Sequence, residues 1–161
     1  MSTLTPTAIW QALEDIKDPE IPVISVVELG IVRDVEVNGE RVTVTITPTF
    51  AGCPALHVLQ NNIRAGLQQL GAAAVEVPIT LSPPWSSDWI TPEGKARLKA
   101  FGLSPPRQHN GQIELIFHEP VQCPYCDSFD TSMKNSFGST ACRAIHYCNN
   151  CSQPFEQFKP L

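Results

Sequence analysis

The sequence predicts a two-layer α+β domain with element order α-β-β-α-β, followed by a small ribbon stapled by four cysteines. Three observations carry this reading. Alternating apolar residues flank Asn38-Gly39, the strongest short-range hairpin signal. The apolar spacing turns helical after residue 54 and returns to alternation after residue 74. Two C-x-x-C pairs, Cys123/Cys126 and Cys148/Cys151, lie in a segment too short to bury a convincing core without a staple.

Residues 8–17, AIWQALEDIK, read as a short amphipathic helix with Ile9, Leu13 and Ile16 on one face. Thr5 or Thr7 can cap it, and Pro6 suits the first turn. DPEIP stops it, because a residue before proline is pushed away from helical angles. Val35 and Val37 alternate into the hairpin turn, and Val42, Val44 and Ile46 alternate out of it until Pro48. From Pro54 to Leu70, Leu56, Leu59, Ile63, Leu67 and Leu70 mark one helical face, with Gly71 as the natural C-terminal cap. Val75, Val77, Ile79 and Leu81 form a third strand, and Pro78 within it places that strand at a sheet edge or a bulge. Helices on one face of a small mixed sheet satisfy this order.

Beyond residue 81, Thr91 and Pro92 open a third short helix, lined by Leu98 and Phe101 and ending at Gly102. Trp85 and Trp89 in the preceding loop are anchors, either for packing or for docking a partner. The proline-rich run after Ser104 reads as a linker. The expected organisation is therefore 1–104 as the α+β domain, 105–112 as linker and 113–161 as the ribbon.

Bulk properties narrow the function classes. The chain has 161 residues, 42% of them apolar, an ordinary globular balance. A formal charge of −5 and the lack of a Lys/Arg run argue against nucleic acid as the main partner. No basic-then-apolar leader opens the sequence and no run spans a bilayer, so a cytoplasmic protein is expected. In that compartment six cysteines point to metal or thiol chemistry before disulfides.

The quartet is the clearest chemical signal. Each C-x-x-C turn offers two thiolates, and two turns complete a tetrahedral shell with metal–sulfur bonds of about 2.3 Å. Twenty-one residues separate the pairs, consistent with a hairpin spacer. A structural zinc site, a four-thiolate iron or iron–sulfur site and a redox dithiol all use this pattern. Structural zinc fits best, because no βαβ context of a redox motif accompanies it. Cys142 is either a small buried side chain of a hairpin or an additional thiol beside the metal site. His146, next to four better ligands, reads as packed.

Cys53, in TFAGCPAL, stands apart. The spacing puts it at the N-cap of the second helix with Pro54 at the first helical position, where backbone N–H groups favour thiolate. Gly52 allows a sharp turn, Thr49 offers a hydroxyl, and Asp18 and Glu20 in the DPE corner are carboxylates that sequence alone does not bring there. The alternative is a half-buried cysteine with no chemistry. One thiol cannot hold a cluster, so a cluster role requires a second chain or a partner.

Together, DPEIPVISVVELGIVRDV, VTITPTFAGCPAL and SPPWSSDWITPEGKARLKAFGLSPP resemble the DUF59 (MIP18) family, and the tail FGSTACRA…C..C..PFEQFKPL resembles the phenylacetate-degradation branch of it. The resemblance covers nearly the whole chain. It implies an iron–sulfur-assembly type of α-β-β-α-β fold and a role in assembling or delivering iron–sulfur clusters. It also implies a link to a phenylacetyl-CoA monooxygenase (epoxidase) with a di-iron oxygenase subunit and a reductase carrying flavin and a [2Fe–2S] cluster. By the same resemblance Cys53 corresponds to the family's motif cysteine, and Asp18, Pro19 and Glu20 to its acidic corner. Cofactors expected are structural zinc and a transient iron–sulfur cluster. Partners expected are the reductase or oxygenase subunits and a second copy of the chain, with no nucleic acid and no membrane.

Three functions follow as alternatives. A non-catalytic maturation factor uses Cys53 as a cluster-handling thiol and the ribbon with Trp85 and Trp89 as docking surfaces. A stoichiometric structural subunit of the oxygenase has no use for Cys53. An independent thiol enzyme needs a histidine beside Cys53, for which His57 is the candidate.

Overall fold

A computed structural model describes residues 3–114 and 119–161. Residues 115–118, inside the segment expected to form the ribbon, lie outside the described residues. The chain divides into two compact units, Met1–Trp85 and Ser86–Leu161.

In the first unit, α1 spans Pro6–Glu14. The Thr5 hydroxyl accepts from the Ala8 N–H at 3.2 Å, and Pro6 opens the first turn. The helix stops before the expected residue 17 because the following backbone is recruited elsewhere. Val26 N–H donates to the Ile16 carbonyl at 2.9 Å and Asp18 N–H to the Ile24 carbonyl at 3.0 Å, with a bridge between Lys17 and Ser25. Ile9 and Leu13 are fully buried, and Ile16 is half-buried.

Strands β1 (Val32–Asn38) and β2 (Arg41–Ile46) form the antiparallel hairpin. Asn38 pairs with Arg41, so the turn is Gly39-Glu40, and Gly39 takes φ +65°, a conformation that strains residues with a β-carbon. Val42, Val44 and Ile46 are all buried, as their alternation predicts. Helix α2 spans Leu56–Gln69 and buries Leu59, Ile63 and Leu67, whereas Leu70 lies past the last turn and is exposed. Gly71, at φ +110°, caps it, and Ala72 N–H returns to the Leu67 carbonyl at 3.1 Å. The third strand is short: β3 (Ala74–Glu76) runs parallel to β2 at the edge of the β1-β2-β3 sheet. Past Pro78 only an isolated bridge between Ile46 and Ile79 remains, as a proline without an N–H requires.

The second unit holds α3 (Pro92–Ala100), capped by Thr91, and a four-stranded sheet of order β4-β7-β6-β5. Its strands are β4 (Leu103–Ser104), β5 (Thr131–Asn135), β6 (Arg143–Cys148) and β7 (Pro154–Phe158). The unit begins at Ser86, earlier than the expected ribbon boundary, because β4 pairs in parallel with β7. The expected linker is also tied into this unit. His109 is buried; its backbone N–H donates to Asp88 Oδ1 at 2.9 Å, and Nδ1 accepts from the Gly111 N–H at 2.9 Å. The ring proton is therefore on Nε2, which donates to the Leu161 carbonyl at 2.9 Å. Among the described residues no helix is long and apolar enough to cross a membrane.

Candidate metal centre and cysteine crevice

The four expected ligands meet. Cys123 precedes and Cys126 sits within the loop before β5, Cys148 ends β6, and Cys151 lies in the turn to β7. The turn hydrogen bonds Asp127 N–H to Cys123 O and Ser152 N–H to Cys148 O, at 3.0 and 2.9 Å, fold each C-x-x-C loop back on itself. The four sulfurs lie within 4.8 Å of one another, with Cys123–Cys151 at 3.7 Å and Cys126–Cys148 at 3.5 Å. Thiolates about 2.3 Å from a tetrahedral ion stand roughly 3.8 Å apart, so the spacing fits a single ion. A cluster of several iron atoms would hold its thiolates further apart. Four thiolates close the shell and leave no open position for a reactant.

The surroundings favour this site. Cys123, Cys148 and Phe155 form a small buried core on which Val121, Cys126 and Cys151 pack. Asn150 Nδ2–H points to Cys126 Sγ at 3.5 Å, and the Cys151 N–H points to Cys148 Sγ at 3.5 Å. The Asn150 amide, followed by the Ser128 backbone, pulls the Cys126 thiol down to about 6, whereas burial pushes Cys151 up to about 12. Sequence reasoning misses Asn150; its place beside a ligand in CNNC is the signal that points to it. Replacing it with alanine is expected to weaken metal binding by roughly 10- to 100-fold, read by competition with a chromophoric chelator. Unchanged affinity would remove its role on the thiolate.

Two neighbours are excluded from this site. Cys142 precedes β6, whereas Cys148 ends it; six strand residues separate them by about 20 Å. Cys142 is buried with its sulfur 3.0 Å from Thr140 Oγ1, so it is the packed hairpin residue rather than a thiol beside the metal. His146 stacks on Phe155, 5.5 Å between ring centroids, and its Nε2 lies 2.8 Å from Gln157 Oε1. Burial holds its pKa below the ordinary histidine value.

In the first unit, Asp18, Thr49 and Cys53 line one crevice. Its other walls are apolar: Leu29, Ile31, Pro48, Ala55, Leu56 and Leu59. Asp18 is fixed by its own turn, Oδ1 accepting from the Glu20 and Ile21 N–H groups at 2.8 and 3.0 Å. Leu29 is placed by a reciprocal box in which Ser25 N–H donates to Glu28 Oε2 at 2.9 Å and Glu28 N–H to Ser25 Oγ at 3.0 Å. The crevice holds about 20 Å³, room for a water and far below what encloses a substrate.

Cys53 is half-buried but is not the N-cap. Helix α2 starts at Leu56 with Ala55 as its cap, because Cys53-Pro54-Ala55 forms a separate turn in which Leu56 N–H donates to the Cys53 carbonyl at 3.3 Å. Gly52 has no positive φ, and a β-carbon there would meet only the Phe50 ring at 3.5 Å, so glycine is not sterically required. Glu20 and Gly52 do not line the crevice. His57 is exposed on α2 and does not line it either. Trp85 is 5% exposed and its Nε1–H donates to the Leu29 carbonyl at 3.1 Å, which makes it a packing residue rather than a docking surface. Trp89, in the 3₁₀ turn Ser87–Trp89, is half-buried. Trp85→Phe keeps the ring but removes the donor to Leu29; a loss of about 1–2 kcal/mol in urea unfolding is expected, and no loss would mean the bond contributes nothing.

Known proteins match both units. A family described as iron–sulfur cluster assembly protein matches residues 6–79, and one described as PaaD zinc beta ribbon domain matches residues 111–159. A relative from Escherichia coli (strain K12), named as a component of 1,2-phenylacetyl-CoA epoxidase, is 42% identical over 94% of this chain and 90% of its own. The chain belongs to the PaaD family. A shorter relative, named an Fe-S protein maturation auxiliary factor, from Porphyromonas gingivalis, is 34% identical over 56% of this chain and 87% of its own. The crystal structure of a DUF59 domain from Bacillus anthracis superposes with a TM-score of 0.54 at 27% identity, covering 57% of this chain and 89% of that domain. The PaaD chain is thus an α+β, DUF59-type unit extended by a four-cysteine ribbon. In the PaaD ribbon, the quartet is the cluster of ligand type among the described residues.

Proposed function

We propose that this protein is a non-catalytic accessory factor that assists assembly of iron–sulfur or iron centres in a phenylacetyl-CoA epoxidase system. The observation that carries the reading is the placement of Cys53 and Asp18 at one crevice too small to enclose a substrate, in a unit matched by an iron–sulfur assembly family. A thiol and a carboxylate at a shallow site suit brief ligation of a metal group held largely by another protein. The cluster or iron is cargo, Cys53 is its transient ligand, and Asp18 and Thr49 line the position it takes. Glu20 and Gly52 shape the turns around it. The clients are the reductase or oxygenase subunits, with a second copy of this chain able to supply a second Cys53. The quartet Cys123, Cys126, Cys148 and Cys151 holds structural zinc.

The reading is tested in cells that make the epoxidase with and without this protein. Client subunits purified from cells lacking it are expected to carry less iron and acid-labile sulfide, while those already loaded turn over without it. Fully metallated clients from such cells would overturn it. A second reading, a permanent structural subunit, is favoured by the exposed aromatic side chains Phe101, Tyr125, Phe129 and Phe137. It requires stable co-purification in fixed stoichiometry and indifference to Cys53.

A further inference from the structure

The second unit carries a larger cavity, about 370 Å³, that the proposed function does not use. Its floor is Leu103, Ile145 and Phe155, from neighbouring strands β4, β6 and β7. Phe101, following α3, and Tyr125, between the ligands Cys123 and Cys126, form its walls. Both rings are about half exposed, at 47% and 58%. Tyr125 reaches its place because Gly102 has no side chain: a β-carbon there would stand 2.8 Å from the Tyr125 hydroxyl. Filling the metal site therefore fixes the loop that carries this wall.

One polar group is held ready in it. Glu156 Oε2 accepts from the Ser139 N–H at 3.1 Å and the Ser139 hydroxyl at 2.9 Å. Among the described residues no hydrogen bond reaches its other oxygen, Oε1, and the nearest cation, Arg143 Nη1, stands 3.9 Å away. Arg143 donates to Ser139 Oγ at 3.2 Å and its side chain is 11% exposed, against 31% for Glu156. The carboxylate is thus the more accessible of the two charges.

The geometry points to a docking site for a basic side chain, an arginine or lysine, of a protein partner. Its apolar stem lies between the Phe101 and Tyr125 rings, where a cation is attracted to aromatic faces, and its head donates to Glu156 Oε1. Charge complementarity supports this occupant, since the chain as a whole carries −5. The Lys99–Asp127 ion pair flanks the two rings in sequence and supplies a polar rim. The site lies apart from Cys53 and does not depend on the cluster-assembly reading.

The test uses the full, metal-loaded chain and follows amide chemical shifts during titration with blocked tripeptides Ala-Arg-Ala, Ala-Leu-Ala and Ala-Glu-Ala. The arginine peptide is expected to shift Tyr125, Ile145, Phe155 and Glu156, and to bind at least roughly tenfold more tightly than the acidic one. Glu156→Gln is expected to weaken it about tenfold. Should that variant lose its fold through the Ser139 contacts, Phe101→Ala, at an exposed position, decides with a loss of several-fold. Equal binding of all three peptides, shifts elsewhere, or indifference to Phe101→Ala overturns the proposal. Guanidinium ion alone reproducing the same shifts at the same concentration would also overturn it, by showing a site for free cations rather than for a partner's side chain.

Discussion

Cys123→Ser is expected to release the bound metal and unfold the second unit while the first stays folded. Cys123 is fully buried and forms, with Cys148 and Phe155, the small core under the ribbon. That core is too small to hold the ribbon strands alone. Structural zinc contributes about 10–16 kcal/mol to folding of such modules, as large as the whole stability of an ordinary domain. Losing one of four thiolates leaves the ion with an incomplete shell and the remaining sulfurs crowded without it. Amide dispersion of β5, β6 and β7 should collapse in Cys123→Ser, and in wild type treated with a strong chelator, while β1 and β2 keep theirs. Native-like spectra of the ribbon strands in the metal-free variant would show that the quartet is dispensable.

Cys53→Ser is expected to leave stability within about 1 kcal/mol of wild type yet abolish iron delivery. The residue is half-buried in a turn and serine is close to isosteric, so packing around it barely changes. A hydroxyl, however, is a far poorer ligand for iron than a thiolate. In cells carrying only the variant, client iron and acid-labile sulfide should fall to the level seen with no protein at all. Asp18→Asn should fall between the two, since Oδ1 keeps its backbone donors while the charge is lost. Wild-type client loading by Cys53→Ser would make the thiol incidental and move the weight to the structural-subunit reading.

The local parts of this molecule are readable in its sequence. The Thr5-Pro6 start of α1, the hairpin around Gly39, the Gly71 cap and the C-x-x-C pairs each depend on residues a few positions apart. What escapes is set by contacts between distant residues. Helix α1 ends early because residues 24–26 take its backbone groups. Residues 86–112 join the second unit through the pairing of Leu103 with Glu156 and the bonds of His109 to Asp88 and Leu161. Asp18 reaches Cys53 across a sequence gap that no periodicity encodes. Trp85 could pack or dock on sequence grounds, and the Leu29 carbonyl that decides it lies 56 positions away. Cys142 is near the quartet in sequence, but an extended strand puts its full length between them.

The most direct test is the metal and acid-labile sulfide content of anaerobically purified protein, wild type beside Cys53→Ser, after incubation with ferrous iron and sulfide. Zinc should be present at one ion per chain in both. Iron and sulfide should be present in the wild type and lost in the variant, which would separate a structural ribbon from a cluster-handling thiol at Cys53. Equal iron and sulfide in both proteins would contradict the account, because the cargo would then be held without the one residue assigned to hold it.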